Sequence, residues 1–402
     1  MKKIIFVIFI VLIYPITNSC STDSSDDENS DCPTDIFEGD LVFESQAEVN
    51  LFDNDCFTII NGSLIISGAI DDISNLVNIT TINGNISISN SNLINLGGLQ
   101  NVSNSIENLD LFGNPNLQDV NALSNITSVK NINLINNNSI PNLTGLHNII
   151  DVEESVTIRG NQNLRNLNGL NSLTTIGLNL VLIECFLENL IGLDNLETIG
   201  GFLQISNNSL LTNLDGLVSL NSVDSLFIFS NTNQTPSALI NIDGLENLTF
   251  TNDIDITQNF LLESINGLRN VNSNLNSLKI RNNHALINLN GLNNITQIAN
   301  ELEIHQNYDL IDLNGLSNLT SVGNTLKITG NSLITNLNSL NNVTYLNSTL
   351  DVSANSSLID LCGILQIVVN VFNNNNGQFI QLENNGFNPI NLTDFANGNC
   401  RL

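Results

Sequence analysis

The sequence predicts a mainly β repeat solenoid, a chain wound into about thirteen short coils around one aliphatic core. A marker residue recurs at a near-constant interval. A Leu-x-Ile or Leu-x-Leu phrase opens each interval, and an asparagine follows three residues later. Aligning on the residue before one recurrent leucine gives Asp72, Gly98, Ala122, Gly145, Gly169, Gly192, Gly216, Gly244, Gly267, Gly291, Gly315, Ser339 and Gly363. Ten of these thirteen are glycine, and the spacings are 23 or 24 residues apart from a first of 26 and one of 28. Repeat arrays grow as one continuous unit, so 402 residues need not divide into separate globular domains.

Each element of the coil follows from its residues. Leu109-Asp110-Leu111, Leu203-Gln204-Ile205, Leu278-Lys279-Ile280 and Leu302-Glu303-Ile304 alternate apolar and variable positions, the signature of a half-buried strand. Asn114, Asn137, Asn161, Asn208, Asn231, Asn259, Asn283, Asn307, Asn331 and Asn355 then mark a bend. A buried amide there must find partners, and stacked copies can supply them as a ladder between coils. The glycine column marks a second corner, where a residue free to take positive φ relieves strain. In the clearest copy Leu326, Ile328 and Asn331 are followed by Leu333, Leu337, Leu340 and Val343. No segment shows capped helical periodicity long enough for a regular helix.

Together, Leu-x-Ile-x-x-Asn with its trailing leucines resembles the leucine-rich repeat. The longer phrase Leu-x-x-Leu-x-Gly-Leu followed by Asn-Leu-Thr-x-Ile is similar to the receptor L-domain. The resemblance covers about residues 56–400. It implies a right-handed, β-helix-like solenoid of the receptor L-domain type, roughly 60 Å long at ~4.8 Å per coil. It also implies a recognition role. Receptor L-domains are usually shorter than this array. Cys185 stands at the ladder position, where leucine-rich repeats take Asn or Cys alike.

The ends read differently. Lys2 and Lys3 precede an apolar run, Ile4 to Tyr14, too short to span a bilayer, so residues 1–19 read as a signal peptide. Ser19-Cys20 after this run resembles the lipobox of bacterial lipoproteins, implying lipid on Cys20. Thr17 and Asn18 depart from the usual residues. Residues 20–31 read as lipidated cysteine and acidic tether, 32–63 as an N-terminal cap, 64–361 as the solenoid and 362–402 as a C-terminal cap. An exported solenoid needs covered ends, so Cys32–Cys56 and Cys362–Cys400 are expected as disulfides. This places the chain at the bacterial outer membrane or cell surface, with the lipid as its only membrane contact.

Charge and motifs narrow the function. Asp and Glu number 39 against 10 Lys and Arg, a formal net charge of −29. Such a surface repels phosphate backbones, so no nucleic-acid partner is expected. Neither a phosphate-binding loop, a nucleophile elbow nor a zinc-helix motif occurs, and His147, His284 and His305 fall at different repeat positions. No catalysis, cofactor or metal is expected, and no dense Asp/Asn/Gly loop suggests Ca²⁺. Sequons such as Asn125-Ile-Thr and Asn318-Leu-Thr follow from composition.

Outward strand positions form two columns, from Ile65 to Asp351 and from Ser67 to Ser353. In the middle coils they carry Phe112, Ile135, Val181, Ile183, Phe227 and Phe229. Arg159, Lys279, Arg281 and Lys327 lie on the same face. Exposed apolar groups in a row favour contact with a partner, here a protein or glycan at a cell surface. The absence of Trp disfavours sugar stacking. Packing against the chain's own loops, a homodimer through this sheet and an envelope spacer without a ligand are the alternatives. The long interval adds a loop near Thr232–Pro236 beside this face.

Overall fold

The computed structural model describes residues 35–52, 57–229, 239–272, 274–374, 379–389 and 391–402. The signal peptide, Cys20, the acidic tether, Cys32, Cys56, Asn231 and the Thr232–Pro236 loop therefore lie outside the described residues. Thr34–Leu402 form one compact unit, a parallel β-solenoid.

Among the described residues, fifteen parallel strands follow one another along the main sheet, starting at Leu41–Phe43 and Leu64–Ser67 and ending at Thr349–Ser353 and Ile380–Gln381. The sheet thus starts one coil ahead of residue 64. Register between coils keeps like residues stacked. Leu278, Leu302, Leu326 and Leu350 form one inward column, and Ile280, Ile304, Ile328 and Val352 the next. A second row of short strands includes Thr175–Ile176 and Ser321–Val322. A third side carries 3₁₀ turns such as Asn266–Leu268 and Asn314–Leu316. Between the caps the core is aliphatic, and each fully buried Leu or Ile contributes on the order of 1.5–3 kcal/mol. In one respect the leucine phrase misleads. Leu333 is exposed and Ile334 takes the inward place.

Asparagine works in several columns. The expected ladder is present: Asn307 Oδ1 accepts from the Asn283 N–H (3.0 Å), and Asn307 Nδ2 donates to the Ile280 carbonyl (2.9 Å). The same pattern runs from Asn114 through Asn137 to Asn161, and from Asn259 to Asn355. A second column makes Asx turns, as where Asn288 Oδ1 accepts from the Asn290 N–H (3.0 Å). A third ties coils together: Asn125 Nδ2 donates to the Gln100 carbonyl (2.7 Å) and Asn318 Nδ2 to the Asn293 carbonyl (2.8 Å). Both sequon amides are thereby engaged in holding the stack.

Backbone strain sits in a place that the glycines do not mark. The residue before each described ladder position has positive φ, and most of these are not glycine, including Asn136 (58°), Gln258 (61°) and Ala354 (58°). Within the glycine column, Gly98, Gly169, Gly192, Gly216 and Gly291 have positive φ, whereas Gly145, Gly244, Gly267, Gly315 and Gly363 do not. What all ten share is proximity. A Cβ on any of them would collide with a carbonyl oxygen of the preceding coil, Leu143 in the case of Gly169. Coil-to-coil packing, more than conformational freedom, selects glycine there.

The caps depart from expectation in two ways. At the N-terminal end Phe37, Phe43, Phe52 and Phe57 form an aromatic cluster, with centroids 5.5–6.4 Å apart in the contacting pairs. Helices are also present. Gln46–Leu51 starts with a capping box formed by Ser45 and Glu48, and Leu365–Asn374 and Leu392–Ala396 lie in the C-terminal cap. In the second of these, Ile367 and Val368 turn inward from the helix against the end of the stack. The expected Cys362–Cys400 disulfide is present.

Candidate recognition face

Strand pairing places the outward residues in unbroken columns. Phe112 pairs with Ile135, Ile135 with Arg159, and Arg159 with Ile183. Val181 is separated from Phe227 by Gln204, and Ile183 from Phe229 by Ser206. The apolar residues are thus two groups flanking Arg159 and a third at Phe227 and Phe229. All of the apolar ones are half-buried, because neighbours one coil away cover their sides.

The third group includes a residue missing from the sequence reading. Phe202 lies 5.9 Å from Phe227, and Phe227 stacks on Phe229 at 5.9 Å with 14° between the rings. Phe202 belongs to a third outward column, one position ahead of the inward pair. Extending the two-residue alternation back one step would have found it. The same column holds a second amide ladder, with Asn108 Nδ2 donating to Asn85 Oδ1 (2.7 Å) and Asn131 Nδ2 to Asn108 Oδ1 (2.9 Å).

Electrostatics change the meaning of the four cations. Arg159 pairs with Glu184 (3.1 Å), and Arg281 with Asp255 (2.7 Å) and Glu303 (3.6 Å). Glu301 bridges Lys279 (2.9 Å) and Lys327 (3.3 Å). Burial works to raise the Glu301 carboxyl, but the two ammonium groups outweigh it and hold it below the usual carboxylate range. These residues form a charge-neutralised lattice rather than a free basic patch.

The histidines stay apart. His305 contacts the Thr329 hydroxyl (2.7 Å) on the sheet, while His284 lies off it between Phe260 and Tyr308. Cys185 is buried in the ladder, its thiol donating to the Ile183 carbonyl (3.4 Å) while its sulfur stands where the next Oδ1 would accept from Asn161. Desolvation pushes this thiol up to about 11. Among the described residues no cluster of three or more His, Cys, Asp or Glu is arranged to hold a metal, and no helix is long and apolar enough to cross a membrane.

No family model and no curated protein matches the chain. Among solved structures it is similar to an internalin from Listeria monocytogenes, with 20% identity over 76% of this chain and 78% of that one and a TM-score of 0.36. It is also similar to TLR13 in its complex with ssRNA13, with 16% identity over 86% of this chain and 54% of that one and a TM-score of 0.32. Both are leucine-rich-repeat proteins. At these identities and scores neither likeness carries an argument about function.

Proposed function

We propose that this chain is a non-enzymatic bacterial surface lipoprotein, anchored through Cys20 at the outer membrane, that recognises a protein or glycan through its sheet face. The supporting observation is the Phe202–Phe227–Phe229 cluster. It places three rings in contact on the solvent side of the sheet, beside the smaller apolar groups at Phe112 and Ile135 and at Val181 and Ile183. Aromatic groups on a rigid scaffold lose little entropy on binding and anchor interfaces. Arg159, Lys279, Arg281 and Lys327 would set orientation through their exchangeable ion pairs rather than supply net attraction.

The second reading is an envelope spacer without a ligand. The internal pairing of those four cations favours it, because a self-satisfied face needs no partner. Residues 33–402 with and without Phe112→Ser, Phe227→Ser and Phe229→Ser would be tested against intact cells and a glycan panel, with circular dichroism as the fold control. Saturable binding lost in the variant supports recognition by the sheet. No binding by either protein favours the spacer, and binding indifferent to the variant removes this face from the site.

A further inference from the structure

Off the sheet, on the flank that follows the asparagine bend, apolar side chains stand open to solvent. One residue past the bend, Phe260, His284 and Tyr308 stack on consecutive coils with centroids 4.6 and 4.4 Å apart. Two or four residues past it come Leu261 (46% exposed), Ile287 (45%), Ile311 (49%) and Leu333 (46%), beside Tyr308 itself (43%). The Asp309 N–H donates to the His284 carbonyl and the Ile311 N–H to the Ile287 carbonyl, both at 3.1 Å, so the rows are in register. The core does not need them, since Leu262, Leu286, Leu310 and Ile334 fill the inward place on the same coils. Phe260 and His284 are half-buried in the stack, while Leu261, Ile287, Tyr308, Ile311 and Leu333 are more open than the half-buried apolar groups of the sheet.

The flank is also acidic. Glu263, Asp309 and Asp312 lie among these residues, and none of the ion pairs among the described residues includes them. In the same coils Arg269 is paired with Glu246, and Lys279, Arg281 and Lys327 with acids of the sheet.

We propose that this flank is a docking surface for a protein segment bearing apolar or aromatic side chains beside Lys or Arg. The apolar rows supply contact area, and the unpaired acids select the charge of what lies over them. A second copy would bring the same acids, on a chain whose net charge is −29. Phosphate-bearing lipid or nucleic acid is repelled for the same reason.

The chain has no Trp, so tryptophan emission reports only on an added peptide. The probes are two synthetic peptides with one Trp and equal Leu content, one carrying Lys and the other Glu, titrated into residues 33–402. The Lys peptide is expected to shift to the blue and saturate, with the Glu peptide weaker by at least about tenfold. Tyr308→Ser with Ile311→Ser should weaken the Lys peptide by about tenfold, while Phe227→Ser with Phe229→Ser leaves it unchanged. Glu263→Gln with Asp309→Asn, which alters only exposed carboxylates, should remove the preference for Lys and holds the test if the apolar variant misfolds. Equal binding of the two peptides overturns the proposal, as does retention by the flank variant. Loss confined to the sheet variant would return binding to the sheet, and a dimer dissolved by Tyr308→Ser would make the occupant a second copy.

Discussion

Cys185 shows what one ladder residue is worth. Each asparagine in the column both accepts from a backbone N–H and donates to a carbonyl in a fully buried site. Sulfur is a weak acceptor and the thiol a weak donor, so the array is softest where Cys185 interrupts it. Cys185→Asn should raise stability by roughly 1 kcal/mol, seen as a higher urea midpoint at constant slope. An unchanged or lower midpoint would mean that the coil has adapted to the thiol. Because burial raises this thiol from 9.0 to about 11, the native chain holds its proton where an unfolded chain would lose it. The resulting contribution is complete below pH 9 and lost as pH rises towards 11. The native thiol should resist a thiol reagent at pH 8 and react on unfolding; fast native reaction would show that the ladder opens there.

At the scale of elements, the sheet and the caps behave differently under stress. The Glu301 bridge is the main sheet's acid-sensitive joint, because its carboxyl titrates below its ordinary value near 4.5. That stability is present above the ordinary value and lost as pH falls through the lowered one. Glu301→Gln should therefore flatten the loss of urea stability as pH falls below 4.5, and a slope equal to that of the parent would remove Glu301 from the acid response. At the C-terminal end, Cys362–Cys400 ties the first turn of the cap to the segment that pairs Asp360 with Arg401. Reduction should raise amide exchange in Leu365–Asn374 and leave the central strands protected, since contacts in a solenoid reach only to neighbouring coils. Exchange rising throughout the array would contradict such local coupling.

For the whole molecule, the sequence was most legible where the same demand recurs. The Leu-x-Ile strand and the ladder asparagines appear in nearly every coil, so periodicity revealed them and the columns they form. The parts that escaped answer to local conditions. Ile367 and Val368 belong to a helix of the cap, outside the repeating coil pattern. Leu333 misleads because the inward place falls three residues past the bend, at Leu262, Leu286, Leu310 and Ile334 alike, and this copy carries a leucine one residue earlier. Phe202 was hidden behind Gly200 and Gly201, where the register shifts between Ile199 and Phe202. The Ser45–Glu48 capping box was readable but lay ahead of the first recognised coil. The flank was illegible for another reason. Whether Phe260, His284 and Tyr308 stack depends on the pitch between coils, a distance that composition does not carry.

The coil-by-coil hydrogen bonding also determines how the chain would bear a mechanical load. Every main-sheet bond runs between successive coils, so a pull separating the two termini strains them as a zip rather than as a bundle loaded all at once. Coils would leave the stack singly from an end. Each coil of about 24 residues would release roughly 80 Å of extended chain. The Cys362–Cys400 link holds 38 residues of contour out of that extension. A chain tethered at one end and held at its face would thus lengthen in equal steps and keep its remaining coils intact.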